Sequence, residues 1–225
     1  MTTYYSERLS GERLKRVYDI APPRIRQYLD AEINYVVNRI RPGDQVLDVG
    51  CGYGRILPSL AQKAGRITGI DISPENIRYG HDDGYAGPGS RCRLLVMDAL
   101  CMDFPDQCFD VVLCIQNGIC AFNADQILLV RECVRVTRKG GITLFTSYSP
   151  KFWKQRLEWF ELQAAEGLLG EIDREKTGNG EIVCKDGFRA GYMTPEKYAE
   201  ITAPMGLSAF VKEVDESFFA YELRP

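Results

Sequence analysis

The sequence predicts a doubly wound, mostly parallel α/β sheet of seven strands, and three observations carry the prediction. The apolar run Val46-Leu47-Asp48-Val49 breaks into glycines at 50, 52 and 54. Apolar residues at helical spacing follow (Ile56, Leu60, Ala61, Ala64), so the stretch reads as strand, tight turn and helix. Four further β-like runs then alternate with helical stretches, the rhythm of parallel strands joined by crossover helices. Finally, the runs 208–214 and 218–223 are joined by a connection so short that only antiparallel pairing suits them.

Taken in order, residues 1–40 read as a helical arm. Leu9, Leu14 and Val17, then Ile25, Tyr28, Leu29, Ile33, Val36, Val37 and Ile40, recur at three- and four-residue spacing, with Pro22-Pro23 separating two helices. A turn at Arg41–Asp44 leads to the first strand at Gln45 or Val46 and to a helix over 55–64. A second strand over 66–72 is followed by Ser73-Pro74-Glu75, which cap, open and charge the start of a helix. Strands over 92–97 and 109–115 come next, the fourth nearly all apolar after Asp110, as burial on both faces demands. A helix over 125–138 is expected to stop at Lys139-Gly140-Gly141, before a fifth strand at Ile142.

Beyond Pro150 the rhythm changes. An aromatic helical stretch (Phe152, Trp153, Trp159, Phe160) precedes a hairpin around Asp186-Gly187, and Thr194-Pro195 caps a further helix. The organisation is therefore one domain over 1–225: an arm (1–40), a ligand-binding core (41–149), an insert or lid (150–192) and a closing helix and strand pair (193–225).

Composition narrows the function class. With 28 basic against 31 acidic side chains the net charge is -3, which gives no support to a nucleic-acid partner. The eight cysteines include no C-x-x-C pair, and the single histidine, His81, has no ligand-like neighbour, so no metal is expected. Met-Thr-Thr-Tyr-Tyr-Ser-Glu-Arg carries no apolar secretory segment, and no run approaches a membrane span, so a reduced cytoplasmic protein without membrane association is expected.

The glycine turn is not a dinucleotide fingerprint. Arg55 follows Gly54, giving G-x-G-x-G, and no G-K-[ST] follows for a phosphate loop. Asp48 places a carboxylate where a pyrophosphate would come, which repels phosphate and suits a cation. The reading is an adenosine ligand without phosphates.

With Gly69-Ile-Asp71-Ile-Ser, Met97-Asp98-Ala99, Phe109-Asp110-Val-Val and Val136-Thr-Arg-Lys-Gly-Gly141 in the same order, the chain resembles the class I (Rossmann-like) S-adenosylmethionine-dependent methyltransferases of small molecules. The resemblance covers residues 44–148 and, more loosely, the terminal strand pair. It implies S-adenosyl-L-methionine as cofactor and S-adenosyl-L-homocysteine as product. It also implies that Gly50, Cys51, Gly52 and Gly54 approach the methionyl part and that Asp48 faces its ammonium. Asp71 with Ile72 would hold the ribose side, Asp98 and Ala99 would read the adenine, and Gln116 and Asn117 would lie beside the sulfonium. Asp110 reads as a structural acid.

Methyl transfer to such a cofactor is in-line displacement, catalysed mainly by alignment and exclusion of water. No general base announces itself, which is compatible with an acceptor already nucleophilic near neutrality, such as an amine, a thiol or an enolate-like carbon, although a carboxylate or tyrosine could also serve. The acceptor is expected to be a small organic molecule with an N, O, S or C nucleophile. Tyr18, and Asn117 at the cofactor end, are the catalytic candidates. Tyr5, Tyr18 and Tyr28 of the arm, with Phe152, Trp153 and Tyr192 of the insert, are the candidates for the acceptor wall, and Trp159, Phe160 and Phe188 could join them. Rival readings are a nicotinamide oxidoreductase and a non-catalytic adenosyl-binding module. Within the family, a metalloid acceptor at Cys101, Cys108 and Cys120, or a protein acceptor, is the lesser alternative. Nothing in the sequence speaks to the oligomeric state.

Overall fold

Pro22 and Pro23 divide the arm as their chemistry requires: Pro22 is extended, and Pro23 opens a helix at the position where a missing N–H costs nothing. The arm is α1 (Tyr4–Arg8), α2 (Glu12–Asp19) and α3 (Pro23–Val37). The structure, a computed structural model, describes residues 4–86, 90–122 and 124–225, without the side chains of Tyr5 and Ser6. Tyr5, expected on the acceptor wall, thus lies outside the described side chains.

The core continues as β1 (Gln45–Val49), α4 (Leu57–Leu60), β2 (Arg66–Asp71), α5 (Pro74–Asp82), β3 (Cys92–Val96), β4 (Phe109–Cys114), α6 (Gly118–Ala121), α7 (Gln126–Val136) and β5 (Thr137–Tyr148). Two boundaries differ from expectation. The helix expected over 55–64 shrinks to α4, because Pro58 lacks a donor and the flanking bonds tighten to the i→i−3 type, as in Ser59 N to Ile56 O at 3.0 Å and Lys63 N to Leu60 O at 3.1 Å. The helix expected to run to Arg138 ends at Val136. Thr137 is already extended, its hydroxyl donating to the Cys133 carbonyl at 2.7 Å and meeting that of Thr143 at 2.7 Å. The Gly140–Gly141 pair therefore lies within β5, where the pairing with β4 shifts register between Phe109 and Val111. Asp110, as expected, is structural: it accepts from Gln45 N at 2.7 Å and pairs with Arg138.

After a 3₁₀ turn at Pro150–Phe152 come α8 (Trp153–Ala165), the small hairpin β6 (Ile182–Val183) and β7 (Arg189–Ala190), α9 (Pro195–Thr202), β8 (Phe210–Val214) and β9 (Phe218–Leu223). The sheet has the order β3-β2-β1-β4-β5-β9-β8, parallel through β5 and antiparallel across β5–β9–β8. This is the predicted seven-stranded doubly wound sheet with its closing antiparallel pair.

Alternation along the strands builds a core on each face. Val46, Ile67, Val111, Leu113 and Leu144 pack with the arm, α4 and α8, while Leu47, Ile70, Val112, Cys114 and Phe145 pack with α7 and α9. The chain leaves β1 toward β2 and β3 on one side and returns through β4 and β5 on the other. The crevice at that reversal, beyond the carboxyl ends of the strands, is where such sheets take ligands.

Candidate active site

The turn after β1 is held by its own backbone: Gly50 N and Cys51 N both donate to the Ile70 carbonyl, at 2.8 and 2.9 Å. Gly50 has φ +73° and lies so close to the Phe122 ring that a Cβ there would run into it. Around this turn opens a cavity of about 440 Å³. Its floor comes from the ends of β1 to β4, its walls from the arm, α8 and the hairpin.

Asp48, on β1, is 2% exposed, lines the cavity and has no hydrogen-bond partner at Oδ2. Burial pushes its carboxyl up to about 7; Arg55 opposes the rise, while Asp71 and Glu32 add to it. Asp71, at the end of β2, is better served. Its Oδ2 accepts from Gly52 N at 2.9 Å, and its Oδ1 accepts from Ser73 N at 2.8 Å and Asn76 Nδ2 at 3.2 Å. Burial still raises it, against the pull of those donors. Asp98 is exposed at the end of β3, accepting from Leu100 N at 2.8 Å, and lines the cavity with Met97, Ala99 and Leu100. Cys51, Gly52 and Ile72 also lie on the wall.

Gln116 and Asn117 follow β4 with φ of 53° and 62°, two successive left-handed residues that each cost about 1 kcal/mol or more. The reversal parts their side chains. Gln116 faces the cavity, where its Oε1 accepts from the Tyr18 hydroxyl at 2.6 Å. Asn117 turns into the protein: its Nδ2 donates to Gly191 O at 3.0 Å and its Oδ1 accepts from Ser147 at 2.6 Å. It does not line the cavity, which corrects its place among the cofactor and catalytic candidates.

Further corrections concern Gly54 and the insert. Gly54 is off the cavity; its φ of +87° is the backbone conformation that favours glycine there, and its Cα faces Leu57 and Leu94. Phe152 is buried between Arg24 and Tyr28 as core, and Trp153 and Tyr192 line a separate cavity of about 250 Å³. Trp159, Phe160 and Phe188 are the insert aromatics that reach the main cavity, beside Tyr18, Tyr28 and Tyr148. Trp159 also ties the insert to the arm, donating from Nε1 to Val17 O at 3.1 Å.

Two charged residues escaped the sequence reading. Arg55, noticed only for the glycine it replaces, lines the cavity with its guanidinium 4.3 Å from the centre of the Tyr18 ring, and its Nη2 is buried without a partner. Glu32, fully buried on α3, accepts at Oε1 from Gln116 N (3.0 Å), Thr146 Oγ1 (2.5 Å) and Tyr28 OH (3.4 Å), while its Oε2 has no partner. Burial raises it to about 6 against the pull of Thr146, Gln116 and Arg55. Arg55 gave no sequence signal beyond its place after the turn. Glu32 did give one, since it is a carboxylate in the apolar stripe Ile25, Tyr28, Leu29, Glu32, Val36.

Among the described residues no three His, Cys, Asp or Glu side chains gather as metal ligands would. His81 is exposed and off the cavity. No helix among the described residues is long and apolar enough to cross a membrane.

A methyltransferase-domain family model matches residues 46–141. The 2-methyl-6-phytyl-1,4-hydroquinone methyltransferase of a Synechocystis species is 31% identical over 160 residues, 67% of this chain and 49% of that protein. The ubiquinone biosynthesis O-methyltransferase of Pseudomonas fluorescens is 31% identical over 135 residues, 59% of this chain and 53% of its own. The chain thus spans about half the length of these curated relatives. A SAM-dependent methyltransferase of Methanosarcina mazei has the same fold, with a TM-score of 0.62 at 20% identity over 84% of this chain and 96% of that one. Residues 46–141 thus match a methyltransferase domain, and the chain as a whole has the sheet topology and fold of S-adenosylmethionine-dependent methyltransferases, the family its motif order resembles.

Proposed function

We propose that this protein binds S-adenosylmethionine in the 440 Å³ cavity and transfers its methyl group to a small organic acceptor enclosed by the arm and α8. The observation that carries the reading is Asp48: a buried carboxylate oxygen without a partner, on the cavity wall beside the glycine turn. A buried acid left unpaired is costly, and a bound cation removes the cost. The same wall holds the unpartnered Nη2 of Arg55, so an acid and a base await a ligand carrying both an ammonium and a carboxylate. A dinucleotide would instead bring its pyrophosphate against Asp48.

In this reading Asp48 holds the cofactor's ammonium and Arg55 its carboxylate, while Gly50, Cys51 and Gly52 let the chain pass close to the methionyl part. Asp71 retains one free lone pair, on Oδ2, for a ribose hydroxyl. Ile72, Met97, Asp98 and Ala99 enclose the adenine, and Gln116 borders the reacting end. The sulfonium supplies an activated methyl group when bound. The remaining work belongs to the chain: Tyr18 and Gln116 fix the wall, and Trp159, Phe160 and Phe188 exclude water and present a flat apolar surface. The relatives named above act, by their names, on a hydroquinone and in ubiquinone biosynthesis, and an aromatic acceptor fits this wall.

The test compares S-adenosylhomocysteine with 5′-methylthioadenosine, which lacks the amino-acid end. Asp48→Asn is expected to weaken the first at least about tenfold, the loss of one charge-assisted contact, and the second hardly at all. Equal effects on both would remove Asp48 from the ammonium. The wild type should also form S-adenosylhomocysteine from S-adenosylmethionine with an aromatic acceptor, and failure with every acceptor offered would favour a binding module.

A further inference from the structure

An acceptor that enters with its proton must lose it when methylated, and few groups around the cavity can take one. Among the described residues no histidine lines it, Asp71 is engaged by three donors, and Asp98 sits exposed beyond β3. Asp48 belongs to the cofactor's ammonium on the reading above. Tyr18 is bound to Gln116 and stacked under Arg55. Burial holds Tyr18, Tyr28 and Tyr148 above the ordinary phenol value, so none is an anion waiting for a proton.

Glu32 remains. It lies behind the wall, with Oε1 3.4 Å from the hydroxyl of Tyr28, and Tyr28 lines the cavity. Its other oxygen is buried and unpartnered. The groups around it come from every neighbouring element: Tyr28 from α3, Tyr18 from α2, Asp48 from β1, Arg55 from the turn, Gln116 after β4, and Thr146 and Tyr148 from β5.

We infer that Glu32, acting through the Tyr28 hydroxyl, is the terminal proton acceptor for a phenolic hydroxyl on the methyl acceptor. The inference rests on the methyltransfer proposed above. In the step, the phenol's O–H bond breaks and its proton passes to the Tyr28 oxygen, while the Tyr28 proton passes to the Glu32 carboxylate, which ends as the neutral acid. The phenol oxygen uses the released electron pair to bond the methyl carbon. The pair of the broken sulfur–carbon bond stays on sulfur, leaving a neutral thioether. The 3.4 Å separation is long for a relay at rest, as such bonds often are before substrate binds. Phenol is the acceptor class that the surroundings select. Tyr28, Tyr148, Trp159, Phe160 and Phe188 make a wall for a flat ring, an aliphatic hydroxyl is too weak an acid, and a neutral amine needs no base to attack. A carboxyl raised to about 6 is matched to this task near neutrality.

A structural role for Glu32, buttressing Gln116 and Thr146 against α3, predicts different behaviour, and Glu32→Gln separates the two. The probes are catechol, a hydroquinone, and 4-nitrophenol assayed above its own pKa, where it is already ionised. Turnover of catechol or the hydroquinone should fall about 100-fold in E32Q and in Tyr28→Phe, with S-adenosylhomocysteine affinity unchanged. At saturating S-adenosylmethionine, where the ionisation of Asp48 no longer limits turnover, the wild-type acid limb near pH 6 should vanish in E32Q. Turnover of 4-nitrophenol should be equal in wild type and E32Q, which also shows that the variant folds. Independently of turnover, and in an Asp48→Asn background that removes the other strongly raised buried carboxyl, the infrared carbonyl band of a protonated buried carboxyl should titrate near the same pH when Glu32 is present and be missing when it is replaced by Gln. Equal slowing of ionised and protonated phenols, a persistent acid limb, a persistent band, or no turnover of any phenol by a protein that binds S-adenosylhomocysteine would each overturn the inference. Failure of the wild type to bind S-adenosylhomocysteine would instead overturn the methyltransfer reading beneath it.

Discussion

Asp48→Asn should stabilise the ligand-free protein while weakening its cofactor site, and the gain should depend on pH. Burial pushes the folded carboxyl from 3.8 up to about 7. Between those values the folded state keeps a proton that the unfolded chain has lost, so stability falls as pH rises through the window and levels off above the folded value. A change from about pH 5.5 to about pH 8.5 crosses about 1.5 units of that window, and at roughly 1.4 kcal/mol per unit the wild type loses about 2 kcal/mol through this group. The asparagine variant does not titrate there and loses none of it. Urea unfolding of both proteins at the two pH values, without ligand, should show the gap moving about 2 kcal/mol in favour of D48N as pH rises. S-adenosylmethionine affinity of the wild type should rise across the same window, because a cation binds the ionised acid. A gap that stays constant, or widens toward the wild type, would refute the claim that Asp48 is a buried acid held ready for a cation.

Three further substitutions probe the site's construction. Gly50→Ala places a Cβ against the Phe122 ring at a left-handed position, so it should lower stability by about 1–3 kcal/mol in a denaturant melt and weaken S-adenosylhomocysteine binding in calorimetry. Trp159→Ala removes a buried aromatic and the Nε1 bond to Val17 that joins α8 to the arm; a thermal melt should report a loss of about 3–5 kcal/mol, and KM for an aromatic acceptor should rise. Asn117→Ala breaks the bonds to Gly191 and Ser147 and should destabilise by about 1–3 kcal/mol, yet leave S-adenosylhomocysteine affinity within about twofold, since its side chain points away from the cavity.

What the sequence displays is what lies close along the chain or repeats with a strand's period. The turn at 50–54, the acids at or just past the ends of β1, β2 and β3, and the antiparallel ending all follow from local spacing and connection length. What it hides depends on elements meeting from far apart. Trp159 rather than Phe152 or Trp153 reaches the main cavity because α8 lays that face against Val17 of the arm, 142 residues earlier. Asn117 parts from its neighbour Gln116 because two left-handed residues reverse the chain, a conformation that adjacent amides do not announce. Glu32 acquires its meaning only when Gln116, 84 residues on, and Thr146, 114 residues on, bring their donors to it. Arg55 is instructive in the other direction: its side chain counted at first only as an absent glycine, yet it gives the wall a cation with a buried, unpartnered Nη2.

The central claim is that the cavity at the reversal between β1 and β4 takes a zwitterionic, phosphate-free adenosyl ligand. Calorimetric titration of the whole chain with S-adenosylhomocysteine, with reduced nicotinamide adenine dinucleotide as competitor, tests it most directly. The account predicts one saturable site that the dinucleotide does not displace and that Asp71→Ala abolishes through loss of the ribose contact and of the bond to Gly52. Absence of binding, or displacement by the dinucleotide, would contradict it.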